Sequence, residues 1–391
     1  MKNVLLLSFG MFTLGFDAYV IAGLIPGISE TYHKNLSQVG QAVSIFTFFY
    51  AISAPIFSSL VVGQPIKKIL IWSMLVFTVA NSMTALAPTF SILLLSRAIA
   101  GIGAGLFSPL AVAASTKLVS SEKKGRALGL TIGGMSMGTV LGVPLGIYIS
   151  KFYHWTSTIW LLVLIGLMAV ICMYIFLPNF PTSPPPALSE RLKMFLDKRV
   201  TVTVSITFFA SMASLGLYTY LSPLLKEIAI SNNLTPYLWA WGCGGMVGSL
   251  MIGYLIDYIK KPKALVTIIL LMLTLSIICI PLMINLSTLK YVPFFVWGAM
   301  GWACQAPQQH ILLSYQPSNG RSAVALNSSV NYLGSAIGAS LGGIVLSLQL
   351  GTITLIYFAV ISMLFSLCLQ FYSMRNKFNG TEFSKKNQCP Q

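Results

Sequence analysis

Apolar runs of about twenty residues, parted by short polar breaks, recur from one end of the chain to the other. About twenty residues is the length a helix needs to cross a bilayer core of ~30 Å. The pattern predicts twelve spans, at 4–28, 38–62, 69–87, 90–118, 126–150, 157–177, 200–224, 235–256, 264–284, 291–313, 322–348 and 352–373; they are numbered 1 to 12 below. The first span holds Asp17 and lacks a small-residue cleavage site, so it reads as a retained helix and not as a signal peptide. The longest internal connection, "PNFPTSPPPALSERLKMFLDKR", is rich in proline and then basic. It reads as a linker over 178–199 that divides the spans six and six.

The halves echo each other. Lys67 and Lys68 after span 2 recur as Lys260 and Lys261 after span 8. Gly138, Gly142 and Gly146 of span 5 recur as Gly334, Gly338 and Gly342 of span 11 after nearly the same interval. A tandem duplication follows, with an N-terminal half over 1–177, a C-terminal half over 200–374 and a tail over 375–391. The fold class is therefore an all-α membrane protein of twelve transmembrane helices in two pseudo-symmetric halves. In parallel repeats of this kind the substrate site lies at the midplane between the halves.

Composition agrees. Of 391 residues, 56% are hydrophobic and only 8% charged, with a mean hydropathy of +0.81. A soluble domain carries about 25% charged residues. The net charge of +16 would suggest nucleic acid in a soluble protein. Here the charges sit in short loops. With the N-terminus inside, only Lys34, Lys151, Lys226 and Lys290 of the 24 basic residues fall outside, and only Arg97 lies deep within a span. That asymmetry places both termini in the cytoplasm and removes the nucleic-acid reading. The six cysteines, without a CxxC pair, read as apolar fillers.

Of the eight acids, seven lie at loops or helix ends and only Asp17 is deep. An ionised Asp in hydrocarbon costs at least ~2.5 kcal/mol, so its presence needs a reason. Counting 1.5 Å per residue, Asp17 lies about 20 Å in from Val4, and Arg97 about 10 Å in from Phe90 on the antiparallel span 4. One acid and one base share a depth, which suits either a structural ion pair or a proton-coupling site. The place in the second half that corresponds to Asp17, aligned through Pro26 and Pro223, is Ser214.

Other candidates are weaker. Gly134, Gly138, Gly142 and Gly146 make a smooth stripe for close helix approach, and Pro144 beside it is expected to bend the helix. Phe16, Tyr19, Tyr50 and Tyr218 are apolar candidates for a substrate cavity, and Gln305 and Asn331 are its hydrogen-bonding candidates. Packing or lipid contact is the ordinary reading of the aromatic candidates, and hydrogen bonding to neighbouring helices that of the amides. Asn81 is a further deep amide. The sequence holds no nucleotide-binding loop, metal-ligand cluster or nucleophile constellation, so neither an enzyme nor a cofactor is expected.

The stretches "DAYVIAGLIPGIS", "LLLSRAIAGIGAGLFSPLAVAAS", "GRALGLTIGGMSMGTVLGVPLG" and "NYLGSAIGASLGG" resemble the major facilitator superfamily. The likeness covers both halves and points to the bacterial twelve-span drug:proton antiporter group, near the arabinose-efflux-permease-like, sugar-efflux and chloramphenicol-resistance transporters. It implies a monomeric multidrug-type antiporter of the bacterial plasma membrane, which exports small lipophilic or sugar-like compounds in exchange for protons by alternating access. It also implies proton-linked roles for Asp17 and Arg97, and conformational motifs at Gly138, Gly142, Pro144 and Gly146 and at Lys67, Lys68 and Asp257. One departure is visible: "VVGQPIKKIL" puts Gly63 where the family carries an acid between spans 2 and 3. Two other readings stand beside it, a proton-independent facilitator or importer and a non-transporting sensor or scaffold. The absence of a sizeable soluble module weighs against the last.

Overall fold

The computed structural model describes residues 1–57, 64–120, 124–179, 193–228, 234–259, 261–316 and 320–375. Side chains within 54–57 and those of Thr116, Lys124, Arg126, Leu128, Asp257 and Arg321 also lie outside the description. Among the described residues the regular structure is helical, and ten helices are long and apolar enough to cross a membrane. The twelve predicted passages appear in order. Span 1 is Lys2–Tyr32, span 2 Leu36–Phe57, span 3 Ile66–Leu86, span 4 Phe90–Lys117 and span 6 Trp155–Phe176. Span 8 is Thr235–Ile259, span 9 Pro262–Met283, span 11 Gly320–Ser347 and span 12 Ile353–Arg375.

Three spans are interrupted, and each interruption has a proline as its cause. Span 7 runs Lys198–Thr219, breaks at Tyr220 and resumes as Leu221–Ile228; span 10 runs Val292–Ala303, breaks at Cys304 and resumes as Gln305–Tyr315. The pyrrolidine ring clashes with the carbonyl four residues earlier. For Pro223 that residue is Thr219, and for Pro307 it is Ala303, the last residue of each first segment. Span 5 is Lys124–Met137, a π turn at Gly138–Gly142, and Val143–Phe152. Pro144 sits just past that turn, whose wider loop takes up the lost hydrogen bond where a simple bend was expected.

Spans 1 to 6 pack mainly among themselves, as do spans 7 to 12, and the principal seams between the sets join span 2 to span 11 and span 5 to span 8. Large apolar side chains such as Leu250 and Leu282 point outward and are more than two-thirds exposed, as lipid contact requires. Most of the linker expected over 178–199 lies outside the described residues; its end forms the short 3-10 turn Met194–Leu196. The tail beyond Arg375 and Cys389 lie outside them too.

Candidate functional site

Span 4 begins at Thr89, whose hydroxyl caps the amide of Ile92 at 3.4 Å, and runs without a break past Arg97. Span 1 runs antiparallel beside it. Arg97 Nη1 donates to Asp17 Oδ1 at 2.9 Å and to Oδ2 at 3.2 Å. Both side chains are sealed, at 1% and 0% exposure. The same Nη1 donates to Asn81 Oδ1 of span 3 at 3.2 Å, and Asn81 Nδ2 returns a hydrogen bond to the Phe77 carbonyl at 3.1 Å. The ring of Phe46, on span 2, lies 4.4 Å from the guanidinium carbon. Four spans thus converge on one guanidinium. A buried ion pair offsets its desolvation only with such extra partners. Arg97 Nε remains buried without a hydrogen-bond partner.

The glycine stripe lies on the other side of span 1. A methyl group at Gly134 would strike the Ser8 carbonyl, and one at Gly138 the Phe12 carbonyl. Gly142 and Gly146 face Phe16, whose ring atoms would stand 2.7 Å and 2.8 Å from added Cβ atoms. Phe16 is therefore a fully buried ridge in the span 5 groove and lies apart from the central aromatic group. The second half repeats the device. Gly334 and Gly338 of span 11 close on the carbonyls of Phe208 and Met212 of span 7.

At the centre, the halves meet through aromatic rings. Tyr19 of span 1 touches Tyr218, Trp241 and Trp302 at centroid distances of 5.4, 5.5 and 5.9 Å. Tyr50 of span 2 stacks against Tyr332 of span 11 at 3.8 Å. Tyr19, Tyr218 and Tyr332 border a cavity of about 20 Å³, room for a single water. Gln305 and Asn331 are brought together at 2.7 Å, from spans 10 and 11. Ser214 accepts from Trp297 Nε1 at 2.7 Å, a neutral contact where the first half has an ion pair.

Toward the ends of the spans that lead away from Met1, Tyr220 closes the seam. Its hydroxyl donates to the Ala339 carbonyl at 2.8 Å and occupies the notch left by Gly40 of span 2 and Gly343 of span 11. At the same ends of spans 1, 5 and 7 opens a cleft of about 290 Å³ lined by Glu30, Lys151, His154 and Lys226.

Comparison with known proteins is decisive for the family. The Major Facilitator Superfamily profile matches residues 7–339. The chain belongs to the major facilitator superfamily. It is similar to the uncharacterized MFS-type transporter YbcL of Bacillus subtilis (strain 168), 29% identical over 359 residues that cover 90% of this chain and 91% of that protein. It is also similar to the inner membrane transport protein YdhP of Escherichia coli (strain K12), 26% identical over 354 residues, 89% of this chain and 90% of that one. The uncharacterized MFS-type transporter YfhI of Bacillus subtilis (strain 168) is 25% identical over 342 residues, 86% and 85% of the two chains. The protein is a multi-pass membrane transporter for a small molecule, and not an enzyme.

Within this major facilitator protein, Lys67 and Lys68 occupy the first turn of span 3, half-buried and exposed in turn. Gly63 lies outside the described residues, as does the Asp257 side chain. The parts that the sequence left unassigned are Asn81, Phe46, Trp302 and Tyr332. Asn81 carried one signal, an amide deep in an apolar span. Aromatic residues carry none, because they are common on lipid-facing surfaces as well.

Proposed function

We propose that this transporter is a proton-coupled exporter of small lipophilic or sugar-like compounds that works by alternating access between an N-terminal half over 1–177 and a C-terminal half over 200–374. The observation that carries the reading is the sealed Asp17–Arg97 pair, backed by Asn81 and Phe46. A carboxylate in a closed site is pulled two ways, toward its neutral form by burial and toward its charged form by the cation beside it. When the halves rock and water reaches it, the balance of desolvation and attraction changes, and a proton is taken up or released. Moving one elementary charge across a membrane is worth ~2.3 kcal/mol per 100 mV, which suffices to drive a neutral solute uphill.

The basic residues assign the orientation, with both termini in the cytoplasm of a bacterial cell and the 178–199 linker on the inner face. Tyr220 and Gly40 then belong to an outer seam that is closed where spans 2, 7 and 11 meet and open as a cleft where spans 1, 5, 7 and 8 meet. The central rings and the amides Gln305 and Asn331 form the substrate contacts, with Tyr19, Tyr50 and Tyr218 among them. The glycines of span 5 and Pro144 supply the close, bendable interface along which span 1 shifts.

The test is uphill export from vesicles of known orientation under an imposed pH gradient. A panel of antibiotics, dyes, sugars and nucleosides is read by a pH-sensitive dye. Substrate-dependent proton release is expected for one class of the panel. Equilibration that never exceeds the substrate gradient, whatever the pH gradient, makes the protein a facilitator instead.

A further inference from the structure

The inner half of the second domain carries a chain of neutral side chains. Thr207 Oγ1 of span 7 lies 2.6 Å from Gln308 Oε1 of span 10 and 2.6 Å from Asn327 Oδ1 of span 11. Asn327 Nδ2 donates to Gln305 Oε1 at 3.2 Å, and Gln305 Nε2 donates to Asn331 Oδ1 at 2.7 Å. Thr207, Gln308 and Asn327 are all buried to 1% exposure or less. A hydroxyl has one proton and cannot serve two acceptors. Gln308 Nε2 meanwhile is a buried donor with no partner.

Both faults vanish if the Gln308 amide is turned about its last bond, because oxygen and nitrogen exchange places there. Nε2 then donates to Thr207 Oγ1, and Thr207 donates to Asn327 Oδ1, which at 2.6 Å lies much nearer than its other acceptor, the Thr203 carbonyl at 3.3 Å. The Gln308 oxygen left over is an acceptor, which tolerates burial better than an orphan N–H does. Every later link is fixed by that first one. The chain runs in a single direction, Gln308 to Thr207 to Asn327 to Gln305 to Asn331, and each polarised bond strengthens the next. Its end is the Nδ2 of half-buried Asn331, which has no hydrogen-bond partner among the described residues. The next residue is Tyr332, which borders the central cavity and stacks on Tyr50.

We propose that this chain is a polarised recognition element that presents one hydrogen-bond donor, Asn331 Nδ2, to an uncharged substrate bearing an acceptor oxygen. The inference rests on the transporter reading and narrows its substrate class. The residues around the small central cavity are neutral, and the deep charges already neutralise each other in the Asp17–Arg97 pair. An ionic substrate would lose its hydration there without gaining a counter-charge, and ring faces alone return less than that loss. Thr207, Gln308 and Asn327 are positioning residues, and they act by fixing which way the Gln305 and Asn331 amides face.

The experiment measures binding at equilibrium, as thermal stabilisation of the purified full chain, and so does not depend on proton coupling. The uncharged probes are methyl glucoside and uridine. The charged probes are uridine monophosphate and tetraphenylphosphonium. At least one uncharged probe is expected to stabilise the wild type, and neither charged probe to do so. Thr207→Ser keeps the hydroxyl and should bind as the wild type does. Thr207→Val removes the link and should weaken binding roughly fivefold to tenfold, the worth of one hydrogen bond. Should Thr207→Val fail to fold, Asn331→Leu removes only the terminal donor and should give a loss of the same order. Stabilisation by a charged probe equal to that by uridine, no stabilisation by either uncharged probe, or undiminished binding in the folded variants overturns the proposal. Absent proton exchange with this binding pattern intact would instead overturn the coupled-exporter reading and leave this one standing.

Discussion

Arg97 Nη1 is shared between Asp17 and Asn81, so the one deep base of the first half is held by an acid on span 1 and an amide on span 3 at the same time. Breaking a buried pair from one side costs about 3–5 kcal/mol, because it strands a charge. Arg97→Leu is therefore expected to lower thermal stability sharply, and Asp17→Asn to do so less, since Asn81 still accepts from the guanidinium. Asp17→Asn keeps the shape of the site and should bind substrate, yet fail to export uphill against a gradient. Thermal unfolding in detergent, followed by proton release from vesicles, checks both parts. Undiminished proton exchange in Asp17→Asn makes the pair structural.

Gly138 admits no side chain, because even a methyl group would meet the Phe12 carbonyl, and backbone cannot rotate aside. Gly138→Ala should separate spans 1 and 5 and abolish transport while insertion into the membrane persists. Gly142→Leu should do the same through the Phe16 ring. Gly133, across the helix, has open space around an added Cβ, and Gly133→Ala should be active. Equal activity in all three variants removes the tight interface from the mechanism.

Asp197, the N-cap of span 7, predicts a pH effect. Burial raises its carboxyl, but hydrogen bonds from the Arg199 side chain and amide, the Arg199 charge and Gln316 outweigh this and hold it below the usual carboxylate value. Arg199 Nη2 and Gln316 Nε2 reach Oδ2 at 3.0 Å and 2.7 Å. A carboxyl depressed on folding stabilises fully above its unfolded value of about 3.9, and that stability is lost as pH falls through the folded value. Wild-type thermal stability should therefore drop below about pH 4 more steeply than that of Asp197→Asn. Asp197→Ala also loses the cap of span 7, which costs about 1 kcal/mol at neutral pH.

The charge asymmetry predicts topology. A single cysteine at Ser189, on a background without the six native cysteines, should react with a membrane-impermeant thiol reagent only in inverted vesicles. Reaction on intact cells reverses the orientation.

What the sequence determined by itself were the twelve passages and the rarity of Asp17 and Arg97. Hydrocarbon imposes both, because it demands about twenty apolar residues per crossing and penalises each charge. Their shared depth was legible as well, because a helix rises by a fixed step per residue. What only the tertiary structure decided is helix rotation and tilt. Phe16 and Tyr19 are three residues apart and look alike in sequence, yet Phe16 fills the span 5 groove while Tyr19 meets Trp241 and Tyr218 of the other half. Asn81 became a partner of Arg97 only because span 3 turns that face toward span 4. The amide chain from Gln308 to Asn331 likewise depends on three helices meeting within hydrogen-bond reach.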